Sequence, residues 1–244
     1  MLMHRYQQAV DELLAKVRET QTENIIKAGK LIADTVASKH KIWLGSICHS
    51  IEQDLLTRGG GPLFYRPFSY NSAQPAGTDA DTSADESVDP GVRAARNALI
   101  NGGVKPGDLL VLSSVSGRTR HVVDLAWEAM QQGVTVIAFT SMSYAREVDP
   151  VHPSGKKLYE FVTMAVDNCA PAAEAMLEVE GIEARFAAAS GIASDYIMWN
   201  ITSCAVEELL SRGITPGIYK SANYPGGADY NNNILTPNYE KNGW

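Results

Sequence analysis

Cysteine is scarce in this chain of 244 residues, which contains only Cys48, Cys169 and Cys204. The three lie too far apart in the sequence to indicate a disulfide framework, and their spacing does not match a structural zinc site. No other set of four metal-ligating residues is visible in the sequence. We therefore expect reduced thiols, no metal and no bound cofactor.

Positive charge is also in short supply, because 21 Lys and Arg residues face 28 Asp and Glu residues, for a formal net charge of -7. A chain without a basic stripe cannot neutralise many phosphates at once. The sequence therefore excludes a general nucleic-acid binder and a membrane-surface binder. A single small phosphate group needs only a local site, so the composition does not exclude one.

Long hydrophobic runs are absent as well. No stretch is long enough to cross a bilayer, and the first residues, Met-Leu-Met-His-Arg, lack the apolar segment of a signal peptide. The hydrophobic content of 45% and the charged content of 20% are those of ordinary soluble proteins. We expect a cytoplasmic protein built from one α/β domain, alone or with an appended helical arm.

Short apolar runs alternate with helical patterns along most of the chain. Apolar runs that predict strands occupy residues 41–44, 109–112, 133–139 and 161–168, with a shorter extended segment at 63–66. Helical spacing of apolar residues marks 92–100, 122–130 and 191–212. Strands that alternate with helices indicate βαβ units and a parallel sheet, in which ligands bind at the carboxyl ends of the strands.

The N-terminal region precedes the first strand and has helical spacing throughout residues 2–38. We expect two amphipathic helices here, with Thr22 as the cap of the second. Such helices need a surface to bury against, which is either their own sheet or a second subunit. We divide the chain into a helical arm, residues 1–39, and an α/β domain, residues 40–244.

Hydroxyl-rich turns follow three of the predicted strands, at 45–50, 113–119 and 140–143. In the second of these turns the sequence is Ser114-Val115-Ser116-Gly117-Arg118-Thr119, and a helical pattern follows. A strand that runs through such a turn into a helix presents free backbone N–H groups and the positive end of the helix dipole, which suits a phosphate. The alternative is structural: Ser113 and Ser114 end a strand, and Thr119 caps a helix.

The 114–119 segment resembles the Ser-x-Ser-Gly-x-Thr phosphate loop of the sugar isomerase (SIS) domain family. The similarity extends from about residue 20 to the tail at 220–231, and the chain closely resembles a bacterial subgroup of the family related to phosphoheptose isomerase. The resemblance implies a three-layer α/β sandwich with a five-stranded parallel sheet, a phosphorylated sugar as ligand, and a homodimer or homotetramer. It also implies a substrate site in the three polar turns, with these contacts: Ser46, Cys48, Ser50, Ser114, Ser116, Gly117, Thr119 and Ser141.

The first turn departs from the family pattern Gly-x-Gly-x-Ser, because it is Gly45-Ser46-Ile47-Cys48-His49-Ser50. Either Cys48 or Ser50 takes the place of the serine that touches substrate. Ile47 stands at or next to the second glycine.

Aldose–ketose isomerisation passes through an enediolate and requires a base near C1 and C2. Our candidate catalytic residues are Glu52, with Asp54 as its rival, and the imidazoles of His49 and His152. For the two acids the alternative is a solvated carboxylate that complements a helix N-terminus. We place His121 in the helix after the phosphate loop as a packing or polar contact.

We expect an aldose–ketose phosphosugar isomerase. The alternatives are a non-catalytic phosphosugar sensor, in whose favour the departures at Ile47 and Cys48 count, and a lyase acting on an ether-linked phosphosugar. The acidic segment 70–91 is rich in Asn, Ser, Ala, Pro, Gly, Asp and Thr and contains no Lys or Arg. Such a composition does not bury a core, and we expect the segment to be either a lid over the substrate or disordered.

Overall fold

The computed structural model describes residues 1–70 and 88–244. Its main sheet contains five parallel strands in the order β2-β1-β3-β4-β5. These strands are β1 (Ile42–Leu44), β2 (Tyr65–Pro67), β3 (Leu109–Ser113), β4 (Thr135–Thr140) and β5 (Met164–Asp167). The predicted five-stranded parallel sheet is thereby confirmed. The expectation of a lid or a disordered segment at 70–91 falls mostly on residues outside those described.

Helices cover both faces of this sheet. They are α1 (Leu2–Ala37), α2 (Pro90–Gly102), α3 (Arg120–Gln131), α4 (Met142–Glu147), α5 (Ser190–Ser211), α6 (Gly227–Tyr230) and α7 (Thr236–Asn242). Alternate side chains of a strand point to opposite faces. Leu44 and Val111 therefore join a core with α1 and α5, whereas Trp43 and Leu110 join one with α2 and α3. The three-layer α/β sandwich predicted from the family resemblance is confirmed.

The N-terminal region is a single helix and not the predicted pair. Thr22 lies in the interior of α1, where its hydroxyl donates a 2.6 Å hydrogen bond to the carbonyl of Arg18 and caps nothing. From Leu13 onward α1 packs against the core, and Gly29 allows a close approach because a Cβ there would lie 2.5 Å from Cβ of Cys204 on α5. The division between an arm of residues 1–39 and a domain of 40–244 stays a prediction.

Two segments differ from the expected helices and strands. The chain after β1 forms only a single 3-10 turn, Ile51–Asp54, before the glycine-rich segment 59–61. An antiparallel hairpin that the sequence did not suggest joins β6 (Ala175–Val179) to β7 (Ile182–Ala188). Its residues are mostly exposed and rich in Ala and Glu, so it lacks the apolar alternation that marks a strand.

None of the described helices combines the length and the apolar character that crossing a membrane requires.

Candidate functional site

The turn between β3 and α3 is closed by hydrogen bonds among its own residues. Ser114 Oγ donates to Thr119 Oγ1 at 2.9 Å and accepts the backbone N–H of Thr119 at 3.2 Å. Gly117 adopts a left-handed φ of 68°, and a Cβ at this position would lie 3.2 Å from Thr140 Oγ1. Only glycine suits both the conformation and the close approach.

Several backbone donors of this turn have no acceptor among the described residues. Within residues 1–70 and 88–244, no acceptor lies within hydrogen-bond distance of the backbone N–H groups of Val115, Ser116, Arg118, Arg120 and His121. The last two belong to the first turn of α3, whose helix dipole adds positive potential. We name the donors at residues 115–121 the anion cradle. Its chemistry matches a phosphate or another compact anion.

The side chain of Thr119 does not act as a helix cap. Thr119 holds the N-cap position of α3, but its hydroxyl makes no cap hydrogen bond and instead accepts from Ser114. Ser113 is the last residue of β3, which agrees with the alternative in which this serine ends a strand. Its Oγ accepts the backbone N–H of Cys48 at 2.7 Å. The turn after β3 is thus bound to the turn after β1.

A cavity of about 220 Å³ lies beside the anion cradle. The cavity is bounded by the exit of β1, by residues 68–70 and by the first turn of α3, and its lining is mixed in polarity. The polar residues that line it are Ser46, Ser50, Glu52, Ser69, Tyr70 and His121. Since His121 also carries one of the free N–H groups, the cavity and the cradle share the start of α3. The volume accommodates a small ligand.

The turn after β1 has a strained backbone. Cys48, His49 and Ser50 adopt positive φ angles of 38°, 65° and 77°, a conformation that costs free energy in every residue except glycine. Buried hydrogen bonds hold it: beyond the bond to Ser113, Cys48 Sγ accepts from the hydroxyl of Ser194 at 3.0 Å. As a result, the side chains of His49 and Ser50 are exposed at the carboxyl ends of the strands. We call this edge of the sheet the rim.

Cys48 itself faces inward, so its thiol is not presented to a ligand in the cavity. It is 3% exposed, and burial raises the pKa of its thiol, against the smaller lowering effect of hydrogen bonds to Ser194, Ser113 and Asn168. Asn168 is fully buried, and its Nδ2 lies 3.6 Å from the sulfur. Of the two alternatives for the family serine, Ser50 is the one that lines the cavity.

Glu52 and Asp54 have different surroundings. Glu52 lines the cavity, but it is only 7% exposed, and its Oε2 accepts the backbone N–H of Ile47 at 2.9 Å. Asp54 accepts the indole N–H of Trp199 at 3.0 Å and pairs with Arg58. Only Glu52 therefore borders the cavity, with part of its carboxylate already engaged.

The two candidate histidines lie in different places. His49 stands at the rim with its side chain 77% exposed, and its Nδ1 lies 3.6 Å from Oε1 of Glu174. His152 packs against α3, where its Nε2 is 3.1 Å from Oδ1 of Asp124 and its Nδ1 is 2.7 Å from Oγ of Ser154. His152 does not line the cavity, so the structure brings His49, but not His152, to the strand ends.

Ser141 lies beneath the site. It is fully buried, and its hydroxyl donates to the carbonyl of Ala170 at 2.6 Å and accepts the N–H of Tyr144 at 3.1 Å as the cap of α4. Its own N–H donates to the carbonyl of Val115 at 2.8 Å. Among the described residues, Ser141 therefore supports the turn after β3 from behind, and its hydroxyl is engaged on the protein side.

Two residues near the rim were not identified from the sequence. Glu174 precedes β6 and reaches His49, and Ser194 of α5 bonds Cys48. Ser194 lies within a predicted helix, but nothing in its spacing indicated a partner 146 residues away. Glu174 had no signal at all, because the hairpin that positions it was not predicted.

Comparisons with known proteins bear on the family of this chain. The family model of the SIS domain matches residues 5–141. A UPF0309 protein of Streptomyces griseus is 34% identical over 227 residues, which cover 92% of this chain and 90% of the relative. A second, from Listeria monocytogenes, is 32% identical over 222 residues and covers 90% of each chain.

Solved structures share the fold at low sequence identity. Phosphoheptose isomerase GmhA of Neisseria gonorrhoeae superposes with a TM-score of 0.51 at 15% identity, covering 86% of this chain and all of that one. The NanR protein of Vibrio vulnificus, in complex with ManNAc-6P, gives 0.50 at 14% identity, covering 99% of this chain and 68% of that one. With a five-stranded parallel sheet, a Ser-x-Ser-Gly-x-Thr turn after the central strand and a matching family model, this chain belongs to the SIS domain family.

Proposed function

We propose that this protein binds a phosphorylated sugar, with the phosphate in the anion cradle at residues 115–121 and the sugar toward the cavity. The observation that carries the proposal is the set of five backbone N–H groups without an acceptor among the described residues, at the start of a 12-residue helix. Ser116 and Thr119 add hydroxyl donors, and Ser46 and Ser50 face the sugar hydroxyls. The overall charge of -7 does not oppose this, because the donors act locally.

The structural relatives support the same ligand class. One is a phosphoheptose isomerase and another is a protein in complex with ManNAc-6P. These names support a phosphosugar as the ligand class and do not identify one reaction for this chain.

We propose aldose–ketose isomerisation as the activity. A base removes the proton from C2, the C–H electron pair forms the C1=C2 bond of an enediolate, and the carbonyl oxygen takes a proton. Loss of the C2 hydroxyl proton and return of a proton to C1 then yield the ketose. Glu52 borders the cavity and His49 stands at the rim, so both are candidates for the base, whereas His152 lies on another face of α3.

A non-catalytic sensor is the second candidate. The specific observation in its favour is that Glu52 is buried and already accepts the N–H of Ile47, which limits its freedom to take a substrate proton. A sensor needs the cradle and the cavity but no base.

Assembly as a homodimer or homotetramer is part of the proposal. Large apolar side chains are exposed at the start of α1 and on β7, among them Leu2, Met3 and Phe186. These three border one groove on the surface. Light scattering of the purified protein measures the mass directly, and a monomer would contradict this part of the proposal.

The activity is tested with a panel of aldose and ketose phosphates in D₂O, with exchange of the C2 proton followed by NMR and binding followed by calorimetry. Exchange that is lost in Glu52→Gln or His49→Ala supports the isomerase and identifies the base. Binding without exchange for every sugar supports the sensor. Absence of binding to any phosphosugar contradicts both.

A further inference from the structure

The rim beside His49 contains a carboxylate whose position is fixed by three separate features. Glu174 lies in a loop where it and Ala173 adopt left-handed φ angles of 72° and 56°. Its backbone carbonyl accepts the N–H of Ala189 at 3.0 Å, and its side-chain Oε1 accepts the hydroxyl of Ser190, which is fully buried. The side chain of Glu174 is 23% exposed.

The start of α5 provides a favourable field for this carboxylate. Ser190 is the first residue of a 22-residue helix, and the positive end of a helix dipole stabilises a nearby negative charge. The Glu174 carboxylate is therefore held in place by Ser190, and it has no Lys or Arg partner among the described residues. It is free to interact with the imidazole.

The backbone at His49 is also fixed, by contacts that do not involve Glu174. It is the middle residue of the left-handed turn 48–50, which the buried hydrogen bonds of Cys48 with Ser113 and Ser194 keep in place. Two strained segments, 48–50 and 173–174, thus meet where Nδ1 of His49 faces Oε1 of Glu174 at 3.6 Å. Strain of this kind persists only where the surroundings enforce it, and it concentrates at functional sites.

We propose that Glu174 is a positioning residue for His49, and this inference rests on the proposed isomerase function. The carboxylate accepts the proton on Nδ1 and so selects the Nδ1–H tautomer, which leaves the lone pair of Nε2 for the C2 proton of the sugar. The distance of 3.6 Å is slightly longer than a hydrogen bond, and the two side chains must close it already in the free protein to fix the tautomer there. Ser190 orients the carboxylate through its hydrogen bond to Oε1, so that Ser190, Glu174 and His49 form one series of contacts.

Glu52 and His49 then have separate roles. The Glu52 carboxylate is committed to the N–H of Ile47 and fixes the backbone of the turn. His49, one residue before the cavity-lining Ser50 and exposed, is the group that transfers the proton. Imidazole suits this task because it takes and returns a proton near neutral pH.

The tautomer of His49 is measurable without any substrate. The experiment uses full-length protein labelled with ¹⁵N in the histidine rings, at a pH where free imidazole is neutral, and reads the protonated nitrogen from the ring ¹⁵N shifts. We expect Nδ1–H in the wild type and a shift toward Nε2–H in Glu174→Ala. Glu174→Gln, which keeps the side-chain volume and an oxygen for Ser190, serves as the variant that preserves the fold. We expect it to reduce the Nδ1–H fraction as well.

Glu180→Ala is the matched control, because Glu180 lies at the exposed tip of the same hairpin, and we expect it to leave the tautomer unchanged. An Nε2–H tautomer in the wild type, or an unchanged tautomer in both Glu174 variants, would overturn the inference.

The kinetic part of the test separates this inference from the proposed function. In the isomerase, Glu174→Gln lowers the rate of C2 proton exchange by roughly tenfold without changing KM. Combined with His49→Ala, it adds no further loss. Exchange at the wild-type rate in Glu174→Gln would contradict the positioning role of Glu174. It would leave the proposed isomerase function intact. A tautomer shift together with no exchange of any sugar by the wild type contradicts the isomerase and supports the positioning of His49.

Discussion

Ser114 Oγ donates a 2.9 Å hydrogen bond to Thr119 Oγ1, across the turn that joins β3 to α3. This bond closes the turn and occupies the Ser114 hydroxyl, while Ser116 has no hydrogen-bond partner among the described residues. The three hydroxyl residues of the motif therefore divide into one that shapes the turn, Ser114, and two whose hydroxyl hydrogens have no acceptor among the described residues, Ser116 and Thr119.

Replacing both available hydroxyls in Ser116→Ala/Thr119→Ala should weaken phosphosugar binding. Each hydroxyl that bonds a charged phosphate oxygen contributes about 1.5 kcal/mol, so we expect a loss of about 3 kcal/mol, or roughly a hundredfold in Kd. Calorimetry measures the change. Ser203→Ala is the control, because that hydroxyl is exposed on α5 and bonds the carbonyl of Trp199. Equal affinity of the double variant and the wild type would show that the phosphate binds elsewhere.

The two glycines Gly117 and Gly155 offer a matched test of the turn. Both are left-handed, with φ of 68° and 71°, but a Cβ on Gly117 would meet Thr140 Oγ1 at 3.2 Å whereas a Cβ on Gly155 meets nothing within 4 Å. Alanine costs about 1 kcal/mol at either position for the conformation alone. We expect Gly117→Ala to be the less stable of the two in urea denaturation and to lose phosphosugar affinity, with Gly155→Ala retaining it. Equal affinity in both variants would contradict the tight turn.

Glu52 is expected to stabilise the fold whether or not it is catalytic. In Glu52→Ala the buried N–H of Ile47 loses its acceptor, which costs about 1 to 3 kcal/mol of unfolding free energy. Glu52→Gln keeps an oxygen for this N–H and should stay close to wild-type stability. Urea denaturation at neutral pH measures both, and Glu180→Ala provides the exposed control. A Glu52→Ala variant as stable as wild type would show that the bond contributes nothing.

We expect His152 to contribute to the free energy of unfolding and not to ligand affinity. Its side chain and that of Asp124 are both almost fully buried, and Arg120 contacts the same carboxylate. Removing the imidazole in His152→Ala leaves a cavity beside Trp127 and one polar partner fewer for Asp124, so we expect a loss of about 2 to 4 kcal/mol. His4→Ala, at an exposed position of α1, is the control. A stable His152→Ala variant with reduced phosphosugar affinity would instead assign His152 to the site.

Much of the sheet could be predicted from the sequence because its physical signal is local. Leu109–Ser113 and Thr135–Thr140 are short strands buried on both faces, and such strands appear as unbroken apolar runs. The turn at 114–119 was identified because its glycine and hydroxyl residues resemble the Ser-x-Ser-Gly-x-Thr motif of the SIS family. The single helix α1 was missed because Thr22 resembles a cap, whereas its hydroxyl bonds the carbonyl of Arg18 within the helix.

The contacts that distinguish the candidate residues could not be predicted, because they join distant parts of the chain. The engagement of Glu52 depends on the conformation of Ile47, and the inward direction of Cys48 depends on Ser194 of α5. The proximity of His49 to Glu174 depends on a hairpin with no apolar alternation. Spacing along the sequence carries no information about any of these three relationships.

We expect a phosphate group to bind the N–H groups of the anion cradle, which have no acceptor among the described residues. The most direct test is a titration of the ¹⁵N-labelled protein with a phosphosugar, compared with the same sugar lacking its phosphate, observed by amide NMR. We predict that the phosphosugar produces its largest shifts at Val115, Ser116, Arg118, Arg120 and His121, and that the free sugar does not. Shifts concentrated elsewhere, or equal shifts with both sugars, would contradict the account.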